Sequence, residues 1–277
     1  MPEAMGVVQQ RATKAVEVLA DILRRKRVEV ERRKRHPLRA RTATLEVISR
    51  RARAEAALRR TAGEDLRVIA EIKRKSPSAG VIRARALHDV QQIARMYQGS
   101  GAAAVSVLCD RVGFGGSVLD LRRAAQCIDI PILFKEFVLD SIQVELAREV
   151  GASMVLLMVN SLDDPQLSSL VDTCHEFDLA PVVEAANAAE LARALATNAV
   201  IIGINARDLH TFSVNSSSAH QLVADIPRDR IAVHMSGVTS KEAFASVAKG
   251  RADAVLIGEA LMRAKDPGAK LLELLGS

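Results

Sequence analysis

The stretch RVIAEIKRKSPSAG, residues 67–80, joins a short apolar run to a polar turn. Because side chains alternate between the two faces of a strand, Glu71 and Lys73 point to the same side. The residues that follow, including Ser76 and Pro77, form turns of the kind that carry function on a rigid scaffold. The pattern predicts an acid and a base at the mouth of a site. The alternative is an ordinary ion pair that closes a strand.

Seven more apolar, β-branched runs follow the first one, with helical patterns between them. The eight runs are RVIAEI (67–72), AAVSVL (103–108), PILFKE (131–136), SMVLLMV (153–159), APVVEA (180–185), VIIGIN (200–205), RIAVHMS (230–236) and AVLIGE (254–259). Their near-continuous apolar character is typical of parallel strands that are buried on both faces. Eight strand-then-helix units predict an α/β protein with a (β/α)8 TIM barrel.

A doubly wound open sheet is the competing architecture. It would normally place a G-x-G-x-x-G phosphate loop directly after the first strand, and this chain has none there. The glycines of VGFGGS, residues 112–117, follow the second strand with a different spacing. We expect them to form a flexible active-site loop.

The length of the chain suits one barrel with an extension. Of the 277 residues, 61–277 would form the barrel as the catalytic domain. Residues 1–60 precede the first strand, and we expect them to form an N-terminal helical extension packed on the barrel, over its floor or its lip. The whole chain would be a single domain.

Composition excludes several classes of protein. With 49% apolar and 26% charged residues, the chain can bury a large core, and its composition is not that of an intrinsically disordered protein. Aromatic residues make up only 3%, with no Trp and one Tyr, which leaves few platforms for base stacking. We therefore expect no nucleic-acid partner.

The net charge of +6 is concentrated at the N-terminus. Residues 1–60 contain 17 Lys and Arg against 7 Asp and Glu. The densest part, residues 24–37, follows leucines and valines at helical spacing, which favours a solvated amphipathic helix. A basic surface for RNA, acidic partners or a membrane is the alternative.

The cysteines and the apolar runs point to a reducing, aqueous compartment. Cys109, Cys127 and Cys174 are odd in number and far apart, so neither a disulfide framework nor a metal site is indicated. No leader pattern and no apolar run of about 18 residues stands out. We expect a cytoplasmic protein without a membrane partner.

Charged and polar residues collect at the ends of the predicted strands, where TIM barrels carry their chemistry. Strand 1 supplies Glu71 and Lys73, strand 3 supplies Lys135, strand 5 Glu184, and strand 6 Asn205. Such a cluster is costly to desolvate without a functional reason, and lysines and carboxylates can exchange protons with a substrate. Arg207 lies just beyond strand 6.

The alternation of strand 3 separates two adjacent charges. Lys135 shares a face with Leu133 and Phe137, whereas Glu136 shares one with Phe134. We predict that Lys135 points into the barrel and that Glu136 points outward.

Strands 7 and 8 end on small residues. Ser236 and Gly237 follow strand 7, and Gly258 follows strand 8. The loops after these two strands are the recurrent phosphate site of TIM barrels, so a phosphorylated substrate is expected. The alternative is that both glycines serve only as turn residues.

The motifs resemble those of the indole-3-glycerol phosphate synthase family, whose members close and decarboxylate the indole ring in tryptophan biosynthesis. The resemblance covers most of the chain. Its most specific stretches are AEIKRKSPSAG (70–80), FGGSVLDLRRA (114–124), ILFKEF (132–137), GINARDL (203–209) and LIGEALM (256–262). It implies a carboxy-lyase that needs no cofactor or metal and acts on a phosphorylated ribulose joined to anthranilate.

The resemblance also implies roles for individual residues. Lys135 would be the general acid at the sugar carbonyl, and Glu184 would handle protons in later steps. Glu71 and Lys73 would serve the dehydration, and Asn205 would orient the aminosugar. The residues that it implies for substrate binding are Pro77, Phe114 and Phe137 toward the aryl group, Ser76 in the turn after strand 1, Arg207 at the rim, and Ser236, Gly237, Gly258 and Glu259, through backbone groups and with help from Lys73, at the phosphate.

The chain departs from the family pattern at two positions. Met235 stands where the family usually has Glu, and Ala185 and Ala186 follow the strand 5 carboxylate where a larger residue is common. Met235 should point into the barrel, and His234 should face away from it. Glu136 replaces the usual Asp, a milder change if that side chain faces outward.

Three hypotheses follow. The first is the synthase itself. The second is a specialised paralogue that closes a ring on a substituted aryl amine or a related aminosugar phosphate. The third is a non-catalytic basic binding protein that uses residues 24–35. We expect a monomer or a weak homo-oligomer in the first case.

Overall fold

Eight parallel strands close into a barrel in the computed structural model, which describes residues 2–35, 49–84, 89–207 and 216–276. The strands are β1 (Arg67–Ile72), β2 (Ala104–Leu108), β3 (Ile132–Lys135), β4 (Met154–Met158), β5 (Ala180–Ala185), β6 (Ile201–Asn205), β7 (Ile231–Met235) and β8 (Ala254–Ile257). Each strand pairs with the next one along the chain, and β8 returns to β1 with Val255 opposite Val68. The predicted (β/α)8 barrel is therefore confirmed, and all eight predicted runs are its strands.

Two helices precede β1, and the later helices alternate with the strands around the outside. They are α1 (Pro2–Arg35), α2 (Arg50–Leu58), α3 (Val90–Gly99), α4 (Arg111–Phe114), α5 (Val118–Ala125), α6 (Ser141–Glu149), α7 (Asp164–Glu176), α8 (Ala188–Leu195), α9 (Ser216–Ala224), α10 (Lys241–Ala248), α11 (Glu259–Arg263) and α12 (Pro267–Leu275), with a 3-10 turn at Val159–Ser161. A two-stranded hairpin pairs Lys75–Ser76 with Gly80–Val81 in the turn after β1. None of the helices in the described ranges has the length and apolar character needed to cross a bilayer.

The two N-terminal helices lie at opposite ends of the barrel. Helix α2 closes the end where the strands begin: Ala54 and Leu58 are fully buried in the inner core. Asp178 fixes its first turn by accepting hydrogen bonds from the Ser49 hydroxyl and from the Arg50 amide. Helix α1 lies at the other end, where Ile22 packs into the inner core beside Phe137.

Alternation along the strands divides the apolar residues into two cores. Leu133, Val182 and Val233 belong to the inner core, whereas Phe134 and Val183 belong to the core between the strands and the outer helices. This division places Leu133, Lys135 and Phe137 on one side of the β3 segment, as the sequence pattern predicts.

The loop after β2 differs from the prediction. Residues 112–117 were expected to form a flexible loop, but the segment opens with α4, a helical turn capped by Asp110. The Asp110 carboxylate accepts hydrogen bonds from the amides of Gly113 at 2.6 Å and Phe114 at 3.2 Å. A Cβ atom at Gly116 would lie 1.8 Å from the Leu108 carbonyl oxygen, so this position needs glycine for close packing.

His234 faces away from the barrel interior, as predicted, and packs against His220 with ring centroids 5.2 Å apart. It is almost fully buried, and neither of its ring nitrogens has a hydrogen-bond partner among the residues that the structure describes. Burial first, and then the neighbouring His220, lower the pKa of His234 to about 4. The ring is therefore held in its neutral form.

We predict that His234→Leu flattens the dependence of stability on pH. A histidine with a lowered folded pKa contributes stability that is present above its unfolded pKa of about 6.5 and is lost as the pH falls toward 4. Denaturant unfolding between pH 7 and 4.5 should show wild type losing about 2 kcal/mol more than the variant. Parallel curves for the two proteins would contradict this assignment.

Candidate active site

The predicted site residues meet in a cavity of about 310 Å³ at the end of the barrel where the strands finish. All fourteen of them border it: Glu71, Lys73, Ser76, Pro77, Phe114, Lys135, Phe137, Glu184, Asn205, Arg207, Ser236, Gly237, Gly258 and Glu259. They come from seven of the eight strand ends, β4 being the exception. The structure thus brings together residues that are up to 188 positions apart.

Lys135 and Glu184 form the first charged pair of the cavity. The Lys135 ammonium lies 2.8 Å from one oxygen of Glu184, and the Asn205 amide donates to the other oxygen at 3.0 Å. The side-chain oxygen of Asn205, Oδ1, in turn accepts a hydrogen bond from the Arg207 backbone amide at 3.0 Å. Glu184 is buried, so these contacts replace the water that its charge would otherwise bind.

Glu71 and Lys73 form the second pair. The Lys73 ammonium lies 3.0 Å from one Glu71 oxygen, and the Ser106 hydroxyl donates to the other at 3.4 Å. Glu71 is deeply buried, while Lys73 reaches the open part of the cavity. The sequence left open whether Glu71 and Lys73 form only an ordinary ion pair that closes a strand. In the structure this pair borders the same cavity as Lys135 and Glu184.

The segments after β7 and β8 supply the backbone at the third side of the cavity. Ser236 and Gly237 both have a left-handed backbone, with φ of 68° and 83°. This conformation is uncommon for serine and is often found at functional turns. Gly258 lies against Glu71: a Cβ atom there would be 2.5 Å from its carboxylate oxygen.

Glu259 and Arg207 form a third, looser pair at the rim. The Arg207 guanidinium lies 4.0 Å from the Glu259 carboxylate, which also accepts from Arg263 at 2.9 Å. Both Arg207 and Glu259 are part-exposed, so this contact adds less than the two inner pairs. Within the described ranges, no three His, Cys, Asp or Glu side chains are grouped in a way that could hold a metal ion.

Sequence reasoning missed the contribution of α1. Val18, Leu19 and Ile22 from this helix border the cavity next to Phe114 and Phe137, whose rings are 6.1 Å apart. The apolar spacing VEVLADIL predicts an amphipathic helix, but nothing in it indicates which part of the barrel its apolar face covers.

The prediction for Glu136 needs correction. Its side chain follows the outward face of Phe134, but it is not peripheral, because α1 covers it and it borders the cavity with only 6% of its surface exposed. Burial raises the pKa of Glu136 to about 7, although the nearby Lys26 ammonium and the Phe137 amide act against this rise. Its position beside the cavity therefore depends on the covering helix, which strand alternation does not describe.

Met235 points into the barrel, as predicted, and fills a space that a side chain at Gly203 would need. A Cβ atom at Gly203 would lie 2.5 Å from the Met235 methyl group. Met235 is fully buried and borders the cavity with Met158 and Leu256. One wall of the cavity is therefore apolar, at the position where the resemblance implies a carboxylate.

Fold and cavity together define a (β/α)8-barrel protein with an acid-base site at the rim where the strands end. The family model described as indole-3-glycerol phosphate synthase matches residues 19–274 of the chain. The chain therefore belongs to the indole-3-glycerol phosphate synthase family.

Individual relatives agree with the family match. The indole-3-glycerol phosphate synthase of Polaromonas sp. is 42% identical over 209 residues, which cover 76% of this chain and 78% of that protein. The one from Acidithiobacillus ferrooxidans is 44% identical over 207 residues, covering 75% and 78%. A solved thiamine phosphate pyrophosphorylase from Pyrococcus furiosus shares the fold, with a TM-score of 0.56 at 16% identity over 76% of this chain and 93% of that one.

We predict that Gly258→Ala displaces the Glu71 carboxylate. The added Cβ would approach Glu71 to 2.5 Å, so Glu71 must move, at an expected cost of about 1–3 kcal/mol in the free energy of unfolding. Gly99→Ala is the matched control, because no atom lies within 4 Å of the Cβ it would add. A crystal structure of Gly258→Ala in which Glu71 still lies 3.0 Å from Lys73 would contradict the prediction.

Proposed function

We propose that this protein is an indole-3-glycerol-phosphate synthase. It converts 1-(2-carboxyphenylamino)-1-deoxyribulose 5-phosphate to indole-3-glycerol phosphate, CO2 and water. The observation that carries the proposal is the meeting of two lysine-carboxylate pairs, Lys135 with Glu184 and Lys73 with Glu71, in one cavity of a chain from this family.

The phosphate of the substrate would lie against the segments that follow β7 and β8. Ser236, Gly237, Gly258 and the backbone of Glu259 border this side of the cavity, and Lys73 faces it with a positive charge. Small residues allow the backbone amides to approach phosphate oxygens closely. Arg207 supports the same rim through Glu259.

The aryl group would lie at the opposite, apolar side. Phe114 and Phe137 supply two rings, Pro77 adds a rigid apolar surface, and Ser76 fixes the turn by accepting a hydrogen bond from the Ala79 amide at 3.0 Å. Helix α1 covers this side with Ile22. An aromatic ring here would exchange water for apolar contacts, which favours binding.

Lys135 would act as the general acid of ring closure. As the aryl carbon attacks the sugar carbonyl, negative charge develops on the carbonyl oxygen, and a lysine ammonium can donate the proton that neutralises it. Loss of CO2 then restores the aromatic ring. Glu184, in contact with Lys135 at 2.8 Å, holds the ammonium in place and can accept protons afterward.

The final dehydration needs a base and an acid. One proton leaves the carbon next to nitrogen, and the hydroxyl departs with another proton as water. The groups placed for these transfers are Glu71, Lys73 and Glu184. Asn205 would orient the aminosugar, and its side-chain amide is held by Glu184 at 3.0 Å. The side chains alone account for the proton transfers of this scheme.

The wider setting follows from the same proposal. We propose that residues 1–60 and the barrel of residues 61–277 act as a single domain, because α1 covers the cavity and α2 closes the other end. The protein would work in the cytoplasm as a monomer or weak homo-oligomer, without cofactor, metal, nucleic acid or membrane. Analytical ultracentrifugation tests the oligomeric state.

The direct test is turnover by the purified protein. Incubation with the anthranilate-ribulose phosphate should release CO2 and give a product with indole fluorescence. Binding of the compound without turnover would count against the proposed activity.

We predict that Lys135→Ala lowers kcat by at least about 100-fold, the lower end of the usual contribution of a general acid. KM should change less, because the phosphate and aryl contacts remain. Lys249→Ala, which removes an exposed lysine at the end of α10, is the control and should leave both constants unchanged. Gly237→Ala, at a left-handed backbone position on the phosphate side of the cavity, should instead raise KM more than it lowers kcat, and equal effects of both variants on both constants would contradict these roles.

The apolar wall at Met235 favours one second candidate, a paralogue that closes a ring on a substituted aryl amine or a related aminosugar phosphate. Methionine adds bulk without charge beside Asn205, its partner in the register of β6 and β7. A changed substrate would then contact this wall.

We predict that Met235→Glu gives no gain in kcat/KM with the ordinary substrate, because Lys73 and Lys135 already have carboxylate partners and a new buried charge must be desolvated. Met235→Gln keeps the length without the charge and is the matched control. A gain of tenfold or more in the glutamate variant alone would indicate an activity weakened by methionine. If wild type binds without turnover and the variant gains nothing, the second candidate is favoured.

A further inference from the structure

Helix α1 meets the barrel rim through apolar residues and one buried charge. Ile22, Lys26 and Val30 lie four positions apart on one face of the helix, and each is at most 6% exposed. Ile22 borders the cavity, so Lys26 enters the protein one turn further along, beside the aryl end. A lysine on the apolar face of a helix requires a specific partner.

Lys26 has three carboxylate partners. Its ammonium lies 3.0 Å from Glu136, 3.5 Å from Asp110 and 2.6 Å from Glu29. Glu29 belongs to the same helix and is half exposed, whereas Glu136 and Asp110 belong to the barrel and are buried. Two buried acids of the rim therefore share one cation, and that cation comes from the covering helix.

Each of the two barrel carboxylates also holds the backbone of an aromatic residue. Asp110 faces Lys26 with one oxygen and accepts from the Phe114 amide with the other, at 3.2 Å. Glu136 likewise faces Lys26 with one oxygen and accepts a hydrogen bond from the Phe137 amide with the other, at 2.8 Å. Phe114 and Phe137 are the two rings of the aryl end. Lys135, the last residue of β3 and the neighbour of Glu136, is the general acid proposed above.

The positive charge of Lys26 stabilises the two buried carboxylates beside it. Burial by itself lowers the pKa of Lys26, but the carboxylates of Glu136 and Glu29 outweigh it and hold the pKa above its ordinary value. The lysine is therefore charged. Without it, two buried carboxylates would face each other, which is strongly unfavourable, and Glu136 or Asp110 would have to move or take up a proton.

We propose that Lys26 is a positioning residue for the aryl end of the active site: through Asp110 and Glu136 it fixes the backbones that carry Phe114, Phe137 and Lys135, and it couples them to the covering helix. The inference rests on the proposed function. It assigns to α1 a role in orienting the substrate in addition to covering it.

The charged and titratable groups around Glu136 define how the effect should depend on pH. On α1 they are Lys26 and its second partner Glu29. On the barrel they are Asp110 at the start of α4 and the buried Cys109 thiol, and burial raises the pKa of that thiol. Lys135, on the same segment, is engaged with Glu184. Removal of Lys26 takes away the only cation among these partners, so it should raise the pKa of Glu136 further.

The test compares Lys26→Met with Lys34→Met. Lys34 lies two turns further along α1 and also pairs with the rim, 2.7 Å from Asp140, but it is part-exposed and contacts neither Asp110 nor Glu136. Steady-state kinetics with the anthranilate-ribulose phosphate, and inhibition by anthranilate as an aryl probe, would be measured from pH 6 to 9. We expect Lys26→Met to lower kcat/KM by about 10- to 100-fold, the usual effect of a small misplacement, and to weaken anthranilate, while Lys34→Met stays within about twofold of wild type.

Two further variants separate positioning from folding. Lys26→Arg keeps the charge and should retain the wild-type pH profile. In Lys26→Met, kcat/KM should fall on the alkaline side as Glu136 ionises opposite Asp110. Adding Glu136→Gln should remove that fall and recover part of the activity, because an amide can still accept from Phe137 and can donate to Asp110.

The outcomes distinguish this inference from the proposed function. An inactive wild type would overturn the function. An active wild type in which Lys26→Met and Lys34→Met behave alike, or in which Lys26→Met loses only thermal stability, would overturn the positioning role. If Lys26→Met does not fold, the same decision rests on Lys26→Met with Glu136→Gln, whose pH profile and anthranilate inhibition must differ from those of Lys34→Met.

Discussion

The closure of eight parallel strands puts alternate side chains into one narrow interior, and the site depends on this constraint. Below the rim the interior is filled by apolar residues such as Leu133, Val182 and Val233, which close that side of the charged layer. The lysines and carboxylates above it must satisfy one another, as Lys135 does with Glu184. A substrate that enters therefore meets charges held in fixed positions by their own partners, and little reorganisation is needed when charge develops on it.

The excess of positive charge at the N-terminus has a structural use at both ends of the barrel. At the end where strands begin, Arg50 donates to the carbonyls of Arg148 and Ala152, and Arg60 to those of Ala248 and Ala252. Guanidinium groups in such places satisfy carbonyls left over where helices end. At the other end Lys26 enters the rim. Within residues 24–35, which the hypothesis of a basic binding protein invokes, Lys26 pairs with Glu136 and Lys34 with Asp140, so these two charges are less available to nucleic acid or acidic partners and the hypothesis is weakened.

The sequence predicts the strands, and the side of each strand on which the candidate residues lie, because both depend on local alternation. Parity in PILFKE separates Lys135 from Phe134, and the structure places them on the two sides that parity requires. The position of α1 could not be predicted, since the face that a helix covers depends on contacts across the chain. One signal was present nevertheless: the spacing of Ile22, Lys26 and Val30 puts a lysine on the apolar stripe within a run that reads as basic surface. The burial of Glu136 follows from that helix and was missed with it.

Met235, where the family resemblance implies a carboxylate, is easier to understand once the ion pairs are known. A carboxylate that were the sole partner of a buried lysine could not be replaced by methionine without leaving that charge unpaired, at a large cost in the free energy of folding. Here each lysine has its own acid, Lys73 with Glu71 and Lys135 with Glu184. The thioether needs no partner, and its methyl group occupies the space that glycine leaves open at position 203. The charge balance of the site therefore tolerates methionine, and the effect of the replacement must come from the shape and polarity of the wall that it presents to the substrate.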